Sequence, residues 1–333
     1  MNAAFSQLEQ QARADDFSGV VRVQHRGEVL VEFACGYSDR ANERAHDLET
    51  RFAVASGTKA FTALTIMSLV ESGVITLDTT LRSIVLDDLP HVDEGVTIDH
   101  LLTHRSGVGD YLDEAAGHDI DDHVLGSLSA HTLRTAHDYL PLLNAHDQQV
   151  PPGEHFAYNN SGFVMLSLVI EMTTGSYHRA VRDHVFTRAA MPDAGFFRSD
   201  DLPADTAVGY LENGRSNVFH LPVIGMGDGG AFLTLDDTTA FWNAFLTGGI
   251  VSPDSVAAMI AEVSVLDDTR SYGRGLWLGP GADHVWIEGI DAGVSFESGV
   301  FRDADLWYSV LSNTSSGAWS LVKTIRDTIT ELR

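Results

Sequence analysis

The sequence predicts a protein of the α+β class, with an antiparallel sheet formed by both ends of the chain, flanked by helices, and a mostly helical segment inserted between them. Strand patterns occur near the N-terminus, at residues 19–37, and return at residues 285–287 and 306–311. The chain from about 77 to 200 carries mostly helical patterns. With 333 residues, 44% of them hydrophobic, the chain can bury one large core or two smaller ones.

The first strands are predicted from apolar residues on either side of a tight turn. Val21 and Val23 precede the turn at residues 25–27, and Val29 and Val31 follow it. Such a pattern around a glycine-containing turn is typical of a β-hairpin. The sheet is therefore expected to begin with two antiparallel strands.

Two long apolar runs without proline predict buried helices. One extends from Ser56 to Val70 and stops before Gly73, a residue type that commonly ends helices. The other covers residues 160–174, and a last helix is predicted over residues 318–332.

The order of these elements also predicts the domain organisation. Residues 1–75 and 205–333 are expected to form a mixed α/β domain that contains the sheet, and residues 76–204 a helical domain. The active site is expected in the cleft between the two.

Ser56 and Lys59 stand at the start of the first apolar helix. A spacing of three residues puts both side chains on one helical face, about one turn apart. A serine hydroxyl becomes an effective nucleophile when a neighbour takes its proton, and a lysine amine can do so where burial or nearby positive charge lowers its pKa. Lys59 is one of only two lysines in the chain, the other being Lys323. This pair is the leading candidate for covalent chemistry.

Two further segments supply groups that acyl chemistry needs. Tyr158 and Asn160 follow a Pro-Pro-Gly turn at residues 151–153 and open a helix, where side chains can project into a cleft. A tyrosine can relay a proton, and an asparagine amide can hold both a lysine and a substrate carbonyl. Residues 288–296 form a glycine-bearing strand edge whose backbone N–H could face that of Ser56 in an oxyanion hole.

Together these segments resemble the serine beta-lactamase and penicillin-binding-protein-like hydrolases, in the branch near class C beta-lactamases, DD-peptidases and related esterases. The resemblance extends from about residue 19 to 313 and includes the Ser-x-x-Lys signature at 56–59. It also includes Leu-Leu-Thr-His-Arg-Ser-Gly at 101–107, the segment 152–160 and Gly-Gly-Ala-Phe-Leu-Thr at 229–234, in the family's order. It implies a beta-lactamase/transpeptidase-like fold.

The resemblance implies a role for each candidate residue. Ser56 would be the acylated nucleophile, Lys59 and Tyr158 the shared acid–base groups, and Asn160 the amide of the second motif. The oxyanion donors would be the main-chain N–H groups of Ser56 and Gly293. Whether Lys59 or Tyr158 is the resting base stays open, because such a pair titrates as a coupled unit. No metal and no organic cofactor is implied.

The third motif departs from the family pattern. Members usually carry Lys or His, a variable residue and Gly, whereas the aligned residues here are Ile290, Asp291 and Ala292. No cation then stands where one would pair with a substrate carboxylate, and an uncompensated carboxylate in a cleft is costly. Neutral esters or amides are expected to fit better than penicillins or D-alanyl-D-alanine termini, unless an arginine reaches in from elsewhere.

Composition limits the partners. The formal charge of −26 opposes phosphate backbones and anionic lipid surfaces, so neither nucleic acid nor a membrane is an expected partner. The N-terminus lacks the pattern of a signal peptide, and no run reaches about 18 uninterrupted apolar residues. A cytoplasmic location is therefore expected. The oligomeric state is not predicted.

Three other patterns are weaker candidates. Gly-x-Gly-x-x-Gly at residues 225–230 lacks the strand–turn–helix context of a dinucleotide site. His104 lies in the segment 101–107, where the resemblance implies a structural role rather than that of a base. Several histidines suggest a metal site but lack the i, i+4 pair that a helical zinc site favours: His118, His123, His131, His137 and His146.

The predicted function is that of a serine hydrolase working through an acyl-enzyme. Small carboxylic esters are the first expected substrates, followed by amides or peptides carrying D-residues. Beta-lactamase or DD-peptidase activity is one alternative. A non-hydrolytic homologue that binds a ligand in the cleft is another, suggested by the irregular third motif.

Overall fold

The computed structural model describes residues 4–112, 121 and 128–332. Its helices are Leu8–Ala14 (α1), Thr58–Glu71 (α2), Leu81–Val85 (α3), Ile98–Leu102 (α4), Leu140–Leu143 (α5), Asn160–Thr174 (α6), Tyr177–Val181 (α7), Leu235–Leu246 (α8), Pro253–Met259 (α9) and Trp319–Glu331 (α10). Its strands are Gly19–His25 (β1), Glu28–Cys35 (β2), Tyr37–Asp39 (β3), Arg44–Ala45 (β4), Phe52–Ala53 (β5), Phe232–Leu233 (β6), Ser264–Val265 (β7), Ser271–Tyr272 (β8), Trp277–Leu278 (β9), His284–Asp291 (β10), Val294–Phe301 (β11) and Leu306–Ser312 (β12).

The main sheet is antiparallel and joins the two ends of the chain. Within the described residues its eight strands follow the order β2-β1-β12-β11-β10-β9-β8-β7. β1 lies between β2 and β12, so that Val21 stands opposite both Phe33 and Val310. The predicted α+β class and the predicted N-terminal hairpin are therefore confirmed.

Both faces of the sheet are covered by helices. Successive residues of a strand point to opposite faces, and accordingly Val20 packs in the large core that contains α2 and α6. Val21 packs on the other face in a smaller core with α1 and α10. α2 is buried on nearly every side, because all its residues except Lys59 and Glu71 are apolar or carry a small hydroxyl side chain.

The inserted segment between residues 76 and 204 contributes α3 to α7 in the part that the structure describes. Its packing against α2 forms much of the large core. The division of the chain into two domains stays a prediction. None of the helices in the described residues is both long enough and apolar enough to cross a membrane.

Candidate active site

Ser56 lies in a tight 3₁₀ turn, Ala55–Gly57, immediately before α2. Ala55 has a φ of 43°, in the left-handed region that residues other than glycine seldom adopt. The loop that leads into β6 supports the turn, because Val54 N donates to Ala231 O at 2.9 Å. Thr58 Oγ1 accepts from Ala231 N at 2.9 Å and donates to Ala55 O at 2.7 Å. The backbone around Ser56 is thus fixed by hydrogen bonds.

β10 supports the same turn from the other side, at Gly289. A Cβ built on Gly289 would lie 2.3 Å from Val54 O and 2.6 Å from Ser56 N, closer than real atoms approach. The strand therefore runs in direct contact with the main chain of the turn. A glycine is required there because any side chain would displace the turn.

Lys59 Nζ forms the centre of the site. It lies 2.7 Å from Ser56 Oγ, 2.7 Å from Asn160 Oδ1 and 2.8 Å from Asp228 O. Asn160 Oδ1 and the Asp228 carbonyl can only accept, whereas the serine hydroxyl can either accept or donate. A neutral Lys59 amine would donate to Asn160 Oδ1 and to the Asp228 carbonyl and accept from the Ser56 hydroxyl. A Lys59 ammonium would donate to all three oxygens. The three contacts therefore suit transfer of a proton between Ser56 and Lys59.

Asn160 is held at the start of α6 by groups from the preceding loop. Its main-chain N–H donates to Asp110 Oδ2 at 3.0 Å, and Ser161 N donates to Asp110 Oδ1 at 2.9 Å. Its side-chain Nδ2 donates to Leu112 O at 3.0 Å. Burial raises the pKa of Asp110, and these N–H bonds together with the Lys59 charge oppose that shift. The amide oxygen is thereby oriented toward Lys59.

Tyr158 lies beside this group and faces a cavity that Ser56 also lines. Its ring centroid is 4.9 Å from Lys59 Nζ, and the ring stacks on Trp277 at 5.9 Å and 11°. The structure therefore brings together the four residues that the sequence indicated: Ser56, Lys59, Tyr158 and Asn160.

Gly293 does not join them, and its predicted role as an oxyanion donor was wrong. Residues 288–296 are not one strand edge but the β10–β11 hairpin, with Asp291 paired to Val294. Gly293 lies in the turn with a φ of 70°, and its N–H donates to Ser315 Oγ at 2.8 Å. Ala292, also in the turn, is buried, and its N–H donates to Asp291 Oδ1. Neither N–H is directed at Ser56.

Ser56 stands where two cavities meet. The larger one, about 850 Å³, is lined by Tyr158, Ile290 and Arg326 among others. The smaller one, about 70 Å³, is lined by Tyr111, Asn160 and Ile290 among others. An acyl group and a leaving group could each occupy one of them.

The larger cavity contains the cations that the third motif lacks. Lys323 and Arg326 reach it from α10. Each already has an acidic side chain beside it: Arg326 Nη1 lies 3.5 Å from Glu297 Oε2, and Lys323 Nζ lies 2.5 Å from Asp327 Oδ2. The sequence left open that an arginine reaches in from elsewhere, and helix packing brings Arg326, together with Lys323, to the cavity wall.

Two glutamates oppose each other on this wall. Glu288 on β10 and Glu297 on β11 are direct cross-strand partners, an arrangement that is unfavourable when both are charged. Trp286 Nε1 donates to Glu288 Oε2 at 2.9 Å. Burial raises the pKa of Glu297 to about 8, with Glu288 adding to the shift and Arg326 opposing it. At neutral pH Glu297 is therefore mostly protonated.

Sequence reasoning did not identify several residues of the site. Asp228 acts on Lys59 through its main-chain carbonyl, which no residue pattern reveals. Arg326 lies far along the chain and reaches the cavity only through packing of α10. The contact of Gly289 with the turn that carries Ser56 was not predicted, because it depends on where the β10–β11 hairpin turns. Asp110 precedes α6 by 50 residues, and only the folding of its loop brings it to the start of that helix.

The histidine-rich segment is only partly described. His118 and His123 lie outside the described residues. Among the residues that are described, no group of three or more His, Cys, Asp or Glu side chains is arranged to hold a metal ion.

Comparison with known proteins gives consistent matches. The profile of the family described as Beta-lactamase matches residues 5–327. Esterase EstB of Burkholderia gladioli is 32% identical over 217 residues, which cover 63% of this chain and 54% of the esterase. A D-aminopeptidase of Brucella anthropi is 30% identical over 235 residues, 68% of this chain and 42% of the aminopeptidase. The chain thus spans about half the length of these two relatives.

A solved structure supports the same grouping. The penicillin-binding protein of Bacillus halodurans superposes with a TM-score of 0.89 at 36% identity, over 96% of this chain and 99% of that one. The predicted fold and the predicted resemblance are both confirmed by this match.

We expect Gly289→Ala to disable the nucleophile turn, because the added Cβ would collide with Ser56 N. The rate at which a fluorophosphonate probe labels Ser56 should fall by about 10²-fold, the usual effect of a displacement near 1 Å. Gly95→Ala, where the nearest atom to a new Cβ is a carboxylate oxygen at 3.1 Å on an exposed loop, is the control. Labelling of the Gly289 variant at the wild-type rate would contradict the contact.

We expect Glu297→Gln to flatten the dependence of stability on pH. The native state holds the Glu297 proton up to about pH 8, whereas an ordinary carboxyl releases it near 4.5, so the free energy of unfolding falls between these values as pH rises. A neutral glutamine removes this loss. Compared with wild type, the free energy of unfolding of the variant should therefore be higher at pH 8 than it is at pH 5. Urea unfolding at both pH values measures the difference, with exposed Glu331→Gln as the control. An equal difference at the two pH values would sink this assignment.

Proposed function

The chain belongs to the Beta-lactamase family of hydrolases, and we propose that it is a serine hydrolase that forms an acyl-enzyme on Ser56. The observation that carries this proposal is the buried Lys59 Nζ, 2.7 Å from Ser56 Oγ and held there by Asn160 and Asp228. Only 2% of Lys59 is exposed. Burying a lysine is costly, and a protein that merely binds a ligand has no need to place one against a serine hydroxyl.

The proposed first step is attack of Ser56 Oγ on a substrate carbonyl carbon. The hydroxyl proton passes to Lys59 or Tyr158, which act as one coupled unit. Collapse of the tetrahedral intermediate breaks the bond to the leaving group, which takes up that proton. Water then attacks the acyl-enzyme and gives up a proton to the same pair. As the bond between the acyl carbon and Ser56 Oγ breaks, that proton passes to Oγ, and the carboxylic acid is released.

The oxyanion donors are proposed to be the N–H groups of Ser56 and Ile290. Ile290 follows Gly289, the point at which β10 contacts the nucleophile turn, and it lines both cavities at Ser56. The N-terminus of α2 begins two residues after Ser56 and adds favourable partial charge. This assignment replaces Gly293.

Small neutral carboxylic esters are the proposed substrates, with amides or D-residue peptides second. Support comes from the acidic groups around the larger cavity, where Lys323 already faces the Asp327 carboxylate and Glu288 adds another acidic group. A substrate carboxylate would have to compete with Asp327 for Lys323 and would lie near Glu288. Relatives named as an esterase and a D-aminopeptidase agree with either kind of bond.

A second candidate function is action on carboxylate-bearing beta-lactams or D-alanyl peptides. It is favoured by one observation, the presence of Arg326 in the cavity that contains Ser56. Under this alternative the Arg326 guanidinium would exchange Glu297 for the substrate carboxylate.

The wild-type protein should hydrolyse p-nitrophenyl butyrate, and Ser56→Ala and Lys59→Ala should each lower kcat/KM by at least about 10³-fold with little change in Tm. The reason is that the nucleophile and a member of its proton-transfer pair are removed. Exposed Arg13→Ala, a cation on α1, should keep full activity. Comparable activity in Lys59→Ala would show that the proton acceptor has been misassigned.

The same assay with matched substrates tests the charge preference. An ester that carries a carboxylate on its acyl chain or leaving group should have a kcat/KM about tenfold lower than its neutral counterpart, equivalent to one modest uncompensated interaction. A preference for the carboxylate-bearing esters would instead support the second candidate function.

A further inference from the structure

We propose that His104 is a positioning residue for Tyr158, holding the main chain on both sides of the tyrosine and so setting where its phenol lies relative to Lys59. This inference rests on the proposed function, because it takes Tyr158 to be one of the proton-transfer groups. It gives His104 a defined mechanical role that the general resemblance of its motif does not specify.

His104 makes two hydrogen bonds to the segment that carries Tyr158. Its main-chain oxygen accepts from Ala157 N at 2.8 Å, and its ring Nδ1 accepts from Asn159 N at 3.1 Å. One residue therefore holds the neighbours of Tyr158 on both sides. A shift of the main chain at Tyr158 would strain or break one of these bonds.

The ring of His104 also packs against the tyrosine itself. The two ring centroids are 4.4 Å apart, and Tyr158 also stacks on Trp277. Phe163 and Tyr272 complete the surroundings of His104, with centroids at 5.0 and 4.8 Å. Tyr158 thus contacts the rings of His104 and Trp277, and Lys59 Nζ lies 4.9 Å from its ring centroid.

The hydrogen bonds require one particular form of the imidazole. Because Nδ1 accepts a hydrogen bond, it carries no proton, and the proton of the neutral ring is on Nε2. Nε2 is buried and has no hydrogen-bond partner among the described residues. Leaving a buried N–H unpaired is costly. The ring adopts this orientation because it lets Nδ1 accept the hydrogen bond from Asn159 N.

The surroundings favour the neutral ring. Burial, assisted by the positive charge of Lys59, holds the pKa of His104 well below its usual range. The other titratable groups that face the ring are the phenols of Tyr158 and Tyr272, and burial raises the pKa of Tyr272. A protonated ring would lose the bond to Asn159 and place a second cation near Lys59.

Neighbouring contacts extend the same connection. Gly153 N donates to Arg105 O at 2.7 Å, and Arg105 Nη2 donates to Gly153 O at 2.5 Å. Four hydrogen bonds therefore join residues 104–105 to the segment 153–159. His104 differs from Arg105 because its bonds flank Tyr158 directly.

Two amide substitutions separate the roles of the two ring nitrogens. In His104→Asn the amide oxygen can occupy the position of Nδ1, and asparagine tolerates the φ of 53° at this residue. In His104→Gln the amide lies near the position of Nε2, and the acceptor for Asn159 is lost. We expect His104→Gln to lower kcat by about 10²-fold with little change in KM, because Tyr158 is misplaced. His104→Asn should keep kcat within a few-fold of wild type.

The effect should disappear when Tyr158 is absent. In a Tyr158→Phe background, His104→Gln should cause little further loss, since the two residues act as one unit. His46→Asn, which removes a different buried histidine hydrogen-bonded to Ser18, is the control and should lower Tm without changing kcat. Equal losses in the Asn and Gln variants, or a full loss from His104→Gln in the Tyr158→Phe background, would overturn the inference.

One measurement needs no variant of His104. Long-range ¹H–¹⁵N NMR of ¹⁵N-histidine-labelled protein should show His104 as the neutral Nε2–H tautomer at pH 6 and above. A proton on Nδ1 would overturn the inference even if no His104 variant folds. If Tyr158→Phe alone keeps wild-type kcat, the role of Tyr158 in the proposed function fails, and that result is distinct from a failure of His104.

Discussion

The site depends on one buried nitrogen, Nζ of Lys59, which joins three separate parts of the chain. Its partners are Ser56 in the turn before α2, Asn160 at the start of α6 and the main-chain carbonyl of Asp228 in the loop before β6. A buried amine needs such partners, because its transfer from water is costly when they are missing. The packing of α2 against α6 therefore also brings the groups of the site together.

The main chain around the site holds the reacting side chains in fixed positions. Ser56 is held in a strained turn between Ala231 on one side and Gly289 on the other. Such support is what keeps a reacting group within a fraction of an ångström of its working position. Tyr158 is positioned in a similar way. His104 accepts hydrogen bonds from the main chain on both sides of it, so its position does not depend on its own side chain alone. In this account nucleophile and proton carrier are both positioned through main-chain contacts.

Sequence reasoning was most successful where residue type and local pattern carried the information. The N-terminal hairpin, α2 and α6 follow from apolar patterns, and Ser56, Lys59, Tyr158 and Asn160 follow from their chemistry and from the family resemblance, which the comparisons confirm. Gly293 was misplaced because the turn inside residues 288–296 depends on strand pairing. Arg326 was missed because only tertiary packing brings α10 to the cavity, and Asp228 because any residue can supply a carbonyl.

The central claim, that Ser56 carries the acyl group, can be tested by trapping. The protein is mixed with p-nitrophenyl butyrate, quenched in acid during turnover, and examined by intact mass and peptide mapping. We expect one butyryl group on the peptide that contains Ser56, and none in Ser56→Ala. Turnover with an acyl group on another residue, or with unmodified Ser56 under conditions in which deacylation is slowed, would contradict it.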